Sequence, residues 1–208
     1  MTTTFKEMYD AYNACTSKLA QSALHDAMIT YSKSTHIGYV CYDMDMYTAL
    51  YKIARTNGER KDALHQIKEI IADSALDLVE LKENFKEFLT LNSVINEDDL
   101  FDFELICISF LIKFRAKVDS AKDYHGAGMA DFSDNYVYDT AVEYLREISY
   151  DILRCPLALE AKHLALYYIE TYKWKLSCEN LSQLFKIIAL QIDMENIIRI
   201  LKIKQVKQ

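Results

Sequence analysis

Glycine and proline are nearly missing from this chain, with four glycines and a single proline in 208 residues. Tight turns draw on both, so a sheet protein with frequent reversals is excluded and long helices with few connections are expected. The five cysteines, Cys15, Cys41, Cys107, Cys155 and Cys178, include no Cys-x-x-Cys pair. Zinc-ribbon and dithiol redox motifs are therefore absent. An odd number of scattered cysteines predicts reduced thiols and a cytoplasmic protein. The opening MTTTFKEMYD has no basic region followed by an apolar run, so no secretory signal is expected. Glycine-rich phosphate loops and the Gly-x-Ser-x-Gly nucleophile elbow do not occur. Net charge is −7, and the only basic fringe is a modest one at Arg199, Lys202 and Lys204. That balance argues against a nucleic-acid backbone as partner. No apolar run reaches the roughly 20 residues of a membrane span. The nearest, Leu100–Phe114, carries Asp102 and Glu104, so no membrane insertion is expected.

Apolar residues, by contrast, make up 51% of the chain, ample for one helical domain over 1–208. Leu100–Phe114 is apolar nearly all the way round, which predicts a helix buried on every face. Asn96 is placed to cap it, with Glu97, Asp98 and Asp99 at the end where the helix dipole favours anions. We expect an all-α fold, an irregular bundle of about seven helices around this central helix (about 97–118). Before it, residues 3–32 read as one helix through Phe5, Met8, Tyr12, Cys15, Leu19, Ala23 and Ala27. A second runs through Tyr47, Leu50, Tyr51 and Ile53 and stops at Asn57-Gly58. Over 59–91, Leu64, Ile71, Leu78 and Phe85 fall seven apart, with Ile67, Ser74, Leu81 and Phe88 three after each. This is a heptad seam on one long helix, serving either a dimer or the inside of the bundle. After the central helix, 119–133 reads as a flexible loop. Further helices start at Ser133 or Asp134, at Pro156 (running to about Lys175), at Ser177, and over Glu195–Ile203. The Ser177 helix carries Leu181, Leu184, Phe185, Ile188 and Ile192.

Several residue groups bear on chemistry. Glu160 and His163 have the Glu-x-x-His spacing of di-metal bundles, which need a second such pair. The nearest, Asp62 and His65 with Glu69 a turn on, falls away from the seam. Both clusters therefore read as solvated faces. His25-Asp26 lacks the upstream histidine of a metal phosphohydrolase and reads as a surface pair. His125-Gly126-Ala127-Gly128 has the composition of an oxyanion-hole loop without a nucleophile to serve. Glu143, Glu147 and Asp151 form one exposed helix edge. No catalytic, cofactor or metal residue is assigned.

The fifteen tyrosines remain. Tyr9, Tyr12, Tyr31, Tyr39, Tyr42, Tyr47 and Tyr51 crowd the first quarter of the chain, with Met44 and Met46 among them. They are either the rim of the core or an interface, since tyrosine and methionine suit protein contacts. Ile37–Met46 fits no amphipathic helix, and on the interface reading Tyr39, Tyr42, Met44, Met46 and Tyr47 are the partner-binding residues. In size, acidity and helical character the whole chain resembles the LvgA-like small acidic adaptors of bacterial secretion, those of the Legionella type IV (Dot/Icm) coupling complex. That resemblance carries no motif. It implies a non-catalytic adaptor or chaperone that binds a tail of the coupling ATPase alongside other small acidic chaperones and helps recruit effector proteins. The alternatives are a helical di-metal or haem oxidase using Glu160 and His163, and a phage or mobile-element regulator that binds a host protein.

Overall fold

A computed structural model describes residues 4–35, 44–73, 76–126 and 132–174. Among them the fold is all-α, with eight α-helices and no strand. The helices are α1 (Phe5–Ala14), α2 (Lys18–Thr35), α3 (Met44–Ile53), α4 (Asn57–Ala72), α5 (Leu78–Leu89), α6 (Leu100–Gly126), α7 (Phe132–Arg154) and α8 (Leu159–Thr171). Two short 3-10 turns, Thr90–Ser93 and Glu97–Asp99, lead from α5 into α6.

Local chemistry sets the boundaries, and in several places it cuts helices that periodicity alone runs together. The expected helix over 3–32 is two. Cys15 is extended, Ser17 Oγ accepts from Ala20 N at 3.5 Å, and Gln21 Nε2 donates to the Tyr12 and Cys15 carbonyls that end α1. Ser17 thus caps a new start, as its residue type favours. Because the chain reverses there, Leu19 is 83% exposed, and the buried face of α2 is His25, Met28 and Ser32.

The long seam helix is also two. Asp73 ends α4 in an extended conformation. Asp77 opens α5 with a capping box, accepting from Val79 N and Glu80 N while Glu80 reaches back to Asp77 N. The seam residues Leu64, Ile67, Ile71, Leu81, Phe85 and Phe88 are nevertheless all buried within the one chain. The heptad count survives the break because both helices turn the same face inward. Asn57-Gly58 does not stop α3; Thr56 caps α4 there, its hydroxyl accepting from Glu59 N at 3.2 Å. Pro156 lies between α7 and α8 rather than in a first helical turn.

The centre of the molecule is aromatic. Phe88 stacks on Phe103 at 4.8 Å between centroids, and Phe85 meets Phe110 edge-on at 5.1 Å. These pairs join α5 to α6 and bury large areas with favourable ring geometry. α6 in turn packs against α4, α7 and α8. It is the spine of the bundle, but it is not buried on every face. Phe103, Ile106, Phe110, Leu111 and Phe114 point inward, whereas Phe101 is 72% exposed, Ile112 is 55% exposed, Leu105 is exposed and Ile108 is half-buried. The helix that is buried almost all round is α3, where Met44, Met46, Tyr47, Thr48, Ala49, Leu50, Tyr51 and Ile53 are all inside. The expected loop at 119–133 is shorter than its composition suggests. α6 continues to Gly126 and α7 begins at Phe132, so 119–126 are helical. The expected helices at Ser177 and at Glu195–Ile203 lie outside the described residues.

Candidate functional site

α3 divides two clefts. On one side α1, α3 and α5 enclose about 440 Å³. Phe5 and Tyr9 of α1 and Met46 and Ala49 of α3 form its apolar wall, while Lys6, Asp10, Asp45, Lys52 and Glu87 set charges of both signs around it. Phe5 and Tyr9 are held in parallel, 6.5 Å apart with an interplanar angle of 12°. Thr4 and Glu7 fix the start of α1 through a capping box. Lys52 Nζ donates to Thr90 Oγ1 at 2.8 Å and lies 3.5 Å from Glu87 Oε1, and Thr48 Oγ1 donates to Glu87 Oε1 at 2.7 Å. The cleft therefore has a cross-braced α3–α5 wall opposite α1.

On the other side α2, α3 and α4 enclose about 260 Å³, lined by Ile29, Tyr47, Leu50 and Ala63 with Ser32, Lys33, Glu59, Asp62 and Gln66. His25, expected on the surface, is buried close by. Its Nδ1 lies 3.1 Å from Asp26 Oδ1, and its Nε2 lies 3.3 Å from Glu59 Oε2, off the line of a hydrogen bond. Glu59 Oε2 is already taken by the Arg55 amide at 2.6 Å.

Behind α3 sits a buried ionic clamp. Asp99 is 0% exposed, and its Oδ2 accepts from Tyr51 Oη at 2.8 Å and from Arg60 Nε at 2.7 Å. The Tyr51 hydroxyl also accepts from Asn96 N at 2.9 Å. Burial is the main reason that the Tyr51 hydroxyl is pushed up to about 12, with Asp99 adding to it and the Asn96 amide opposing. Asp99, read as one of three anions favoured at a helix start, is the bolt that ties α3 and α4 to the entry of α6. No sequence signal marks it, because an Asp-Asp pair at a helix start is ordinary. Its Oδ1 has no hydrogen-bond partner.

The expected partner-binding residues divide. Tyr39 and Tyr42 lie outside the described residues. Met44, Met46 and Tyr47 do not form an exposed docking strip, since each is at most 2% exposed. Met46 and Tyr47 do reach the two clefts, one on each side of α3. Tyr9, one of the tyrosines weighed as an interface, lines the larger cleft, whereas sequence reasoning assigns no contact role to Phe5, Ala49 or Lys52. The cleft's signal is present in the apolar spacing of α1 but is spread over a helix drawn too long.

Glu160 and His163 stand on the exposed face of α8 with Tyr167 and Glu170. Asp62, His65 and Glu69 are exposed on α4. The backbone amide of Glu160 is capped by Glu104 Oε1 at 3.0 Å, a carboxylate at a helix N-terminus. Among the described residues, no three histidines, cysteines or acids converge to hold a metal. Glu143, Glu147 and Asp151 are half-buried and paired, with Arg146, Lys82 and Arg154 respectively. Lys82 also lies 3.9 Å over the Tyr144 ring. Burial raises the Asp151 carboxyl above its ordinary range.

Cys15, Cys107 and Cys155 are free thiols. Burial pushes the Cys107 thiol well up, which makes it a poor nucleophile. No helix among the described residues is long and apolar enough to cross a membrane. No family model matches the chain, and neither the curated proteins nor the solved structures contain a match to it.

Proposed function

We propose that the protein is a non-catalytic adaptor whose working surface is the cleft between α1, α3 and α5. The observation that supports this reading is the cleft itself, about 440 Å³ with an apolar wall and both signs of charge around it. Such a site suits a short segment of another protein, whose apolar side chains enter while its polar ones meet the charged edge. α1 covers one side of the cleft through Phe5 and Tyr9, and a helix of ten residues is short enough to be displaced by an arriving segment.

The partner class follows from the resemblance to LvgA-like acidic adaptors of type IV coupling complexes. It is a tail of the coupling ATPase, together with other small acidic chaperones and the effector proteins they recruit, met in the cytoplasm. Tyr9→Ala combined with Lys52→Glu removes one apolar wall and reverses one charge without touching the Phe85–Phe110 core. Capture from native lysate is expected to yield a stoichiometric component of a coupling complex with the wild type. The folded double variant is expected to lose it. Retention of that component by the double variant excludes the cleft. Absence of any partner from the wild type excludes the adaptor.

A further inference from the structure

Little ties α1 to the cleft that it covers. Of its ten residues only Phe5 and Met8 are buried, with Tyr9 and Tyr12 half-buried beside them. These four form one stripe of the helix, at i, i+3, i+4 and i+7. Among the described residues, the hydrogen bonds of α1 are internal or come from Gln21, near the start of α2. None reaches α3 or α5, and no ion pair does, although Lys6 and Asp10 line the same cleft as Lys52 and Glu87.

The opposite wall stands without α1. Thr48 and Lys52 of α3 are fastened to Glu87 and Thr90 at the end of α5. The Phe88–Phe103 and Phe85–Phe110 pairs hold α5 on α6. A pivot is also present. Residues 15–17 are not helical, and Cys15 is extended (φ −81°, ψ 130°). Ser17 caps α2 afresh, so α2 does not depend on the turns before it. Gln21 Nε2 reaches back to the Cys15 carbonyl at 2.8 Å and to the Tyr12 carbonyl at 3.4 Å. It satisfies carbonyls that the end of α1 leaves unpaired and pins the helix at its pivot. The other end is held by apolar contact, with Phe5 against Tyr9 and, at 6.1 Å between centroids, against Tyr31 of α2.

We propose that α1 is a hinged lid. It lifts from α3 and α5 as one unit about residues 15–17 while the rest of the bundle stays folded, and it settles back over a segment lodged in the cleft. The lid rests on the reading of that cleft as the working surface. Local opening spans free energies from near zero to that of global unfolding, and elements with few buried contacts fall at the low end. A segment in the cleft adds apolar surface against Phe5 and Tyr9, so a filled cleft holds the lid more tightly than an empty one.

Amide hydrogen exchange of the full chain at pH 7, resolved by residue in NMR spectra, tests the lid without a partner. A lone ten-residue helix is marginal in water, so a lifted α1 exposes its amides. The amides of residues 8–14 are expected to share one level of protection and to exchange at least about 100-fold faster than those of α3 and α5. Gln21→Ala removes the clasp at the pivot and is expected to speed α1 roughly fivefold, with α3 and α5 unchanged. Protection of α1 equal to that of α3 would overturn the proposal. So would a gradient that rises from Thr4 to Ala14, which is fraying of a chain end rather than lifting of a unit. In the Gln21→Ala protein, acceleration of α3 and α5 together with α1, or no acceleration of α1, would overturn it as well. The wild-type result decides alone if that variant does not fold. Failure here removes the lid and leaves the adaptor reading to the lysate capture.

Discussion

Tyr51→Phe removes one oxygen from a place that water does not reach. The Tyr51 hydroxyl donates to Asp99 and accepts from the Asn96 amide, at 2.8 and 2.9 Å. Without it the buried Asp99 carboxylate loses a hydrogen bond, worth about 1.5–3 kcal/mol when the acceptor is charged. The partly buried Asn96 amide loses its acceptor at a cost of about 1 kcal/mol. Denaturant unfolding at pH 7 is therefore expected to show the variant less stable by roughly 2–4 kcal/mol. The pH dependence is the sharper test. The folded-state pKa of Tyr51, about 12, lies above the ordinary value of 10.0. The stabilisation is thus complete below pH 10 and is lost as pH climbs from the ordinary value through the folded one, at about 1.4 kcal/mol per pH unit. Phenylalanine has no proton to lose, so the gap between wild type and variant should narrow from pH 9 to pH 11. Other tyrosines titrate alike in both proteins and cancel. A gap below about 0.5 kcal/mol at pH 7 would refute the reasoning, since a loss that small falls within ordinary surface effects. A gap that widens with pH would refute it equally.

Ile71 is 2% exposed on α4, so Ile71→Asp buries an unpaired charge and should unfold the chain at 25 °C by circular dichroism. A folded Ile71→Asp protein that merely changes its oligomeric state in light scattering would mean that the heptad seam serves association. Asp77→Ala deletes the capping box of α5 and should cost about 1 kcal/mol in thermal or denaturant unfolding. Equal stability of the two proteins would show that α5 is held by packing alone. Cys107, buried and with its thiol pushed up, should resist iodoacetamide in the native protein while the more accessible Cys15 reacts, as read by peptide mass spectrometry. Labelling of Cys107 at the rate of Cys15 would contradict its placement in the core.

Periodicity makes the fold class legible, and caps decide the boundaries. The seam residues Leu64, Ile67, Ile71, Leu81, Phe85 and Phe88 announce their burial correctly, because a core position keeps its phase whether or not the helix is interrupted. What the spacing hides is the interruption at Asp73–Asp77. The signal for it, Asp77 three residues before Glu80, is present and is outweighed by a run of correctly phased apolar residues. The same happens at Thr16-Ser17. Leu100–Phe114 misleads in another way. Its composition calls for burial on all sides, yet Phe101 and Ile112 face outward. A sequence gives the appetite of a helix for burial without saying which neighbour satisfies it. Met44, Met46 and Tyr47 show the converse, residues of interface type used as core because α3 is enclosed by four other helices. The larger cleft is illegible because its walls come from α1, α3 and α5, and long-range juxtaposition leaves no local pattern. The Tyr51–Asp99–Arg60 clamp is another such case, joining residues 48 and 39 positions apart.

The most direct measurement is native mass spectrometry of the full chain captured from its own cell lysate, with metal content determined on the same sample. The adaptor reading requires a complex of defined stoichiometry with a coupling-complex component and no bound metal. A partner-free protein carrying about two equivalents of iron or manganese would contradict it and would turn attention to Glu160 and His163.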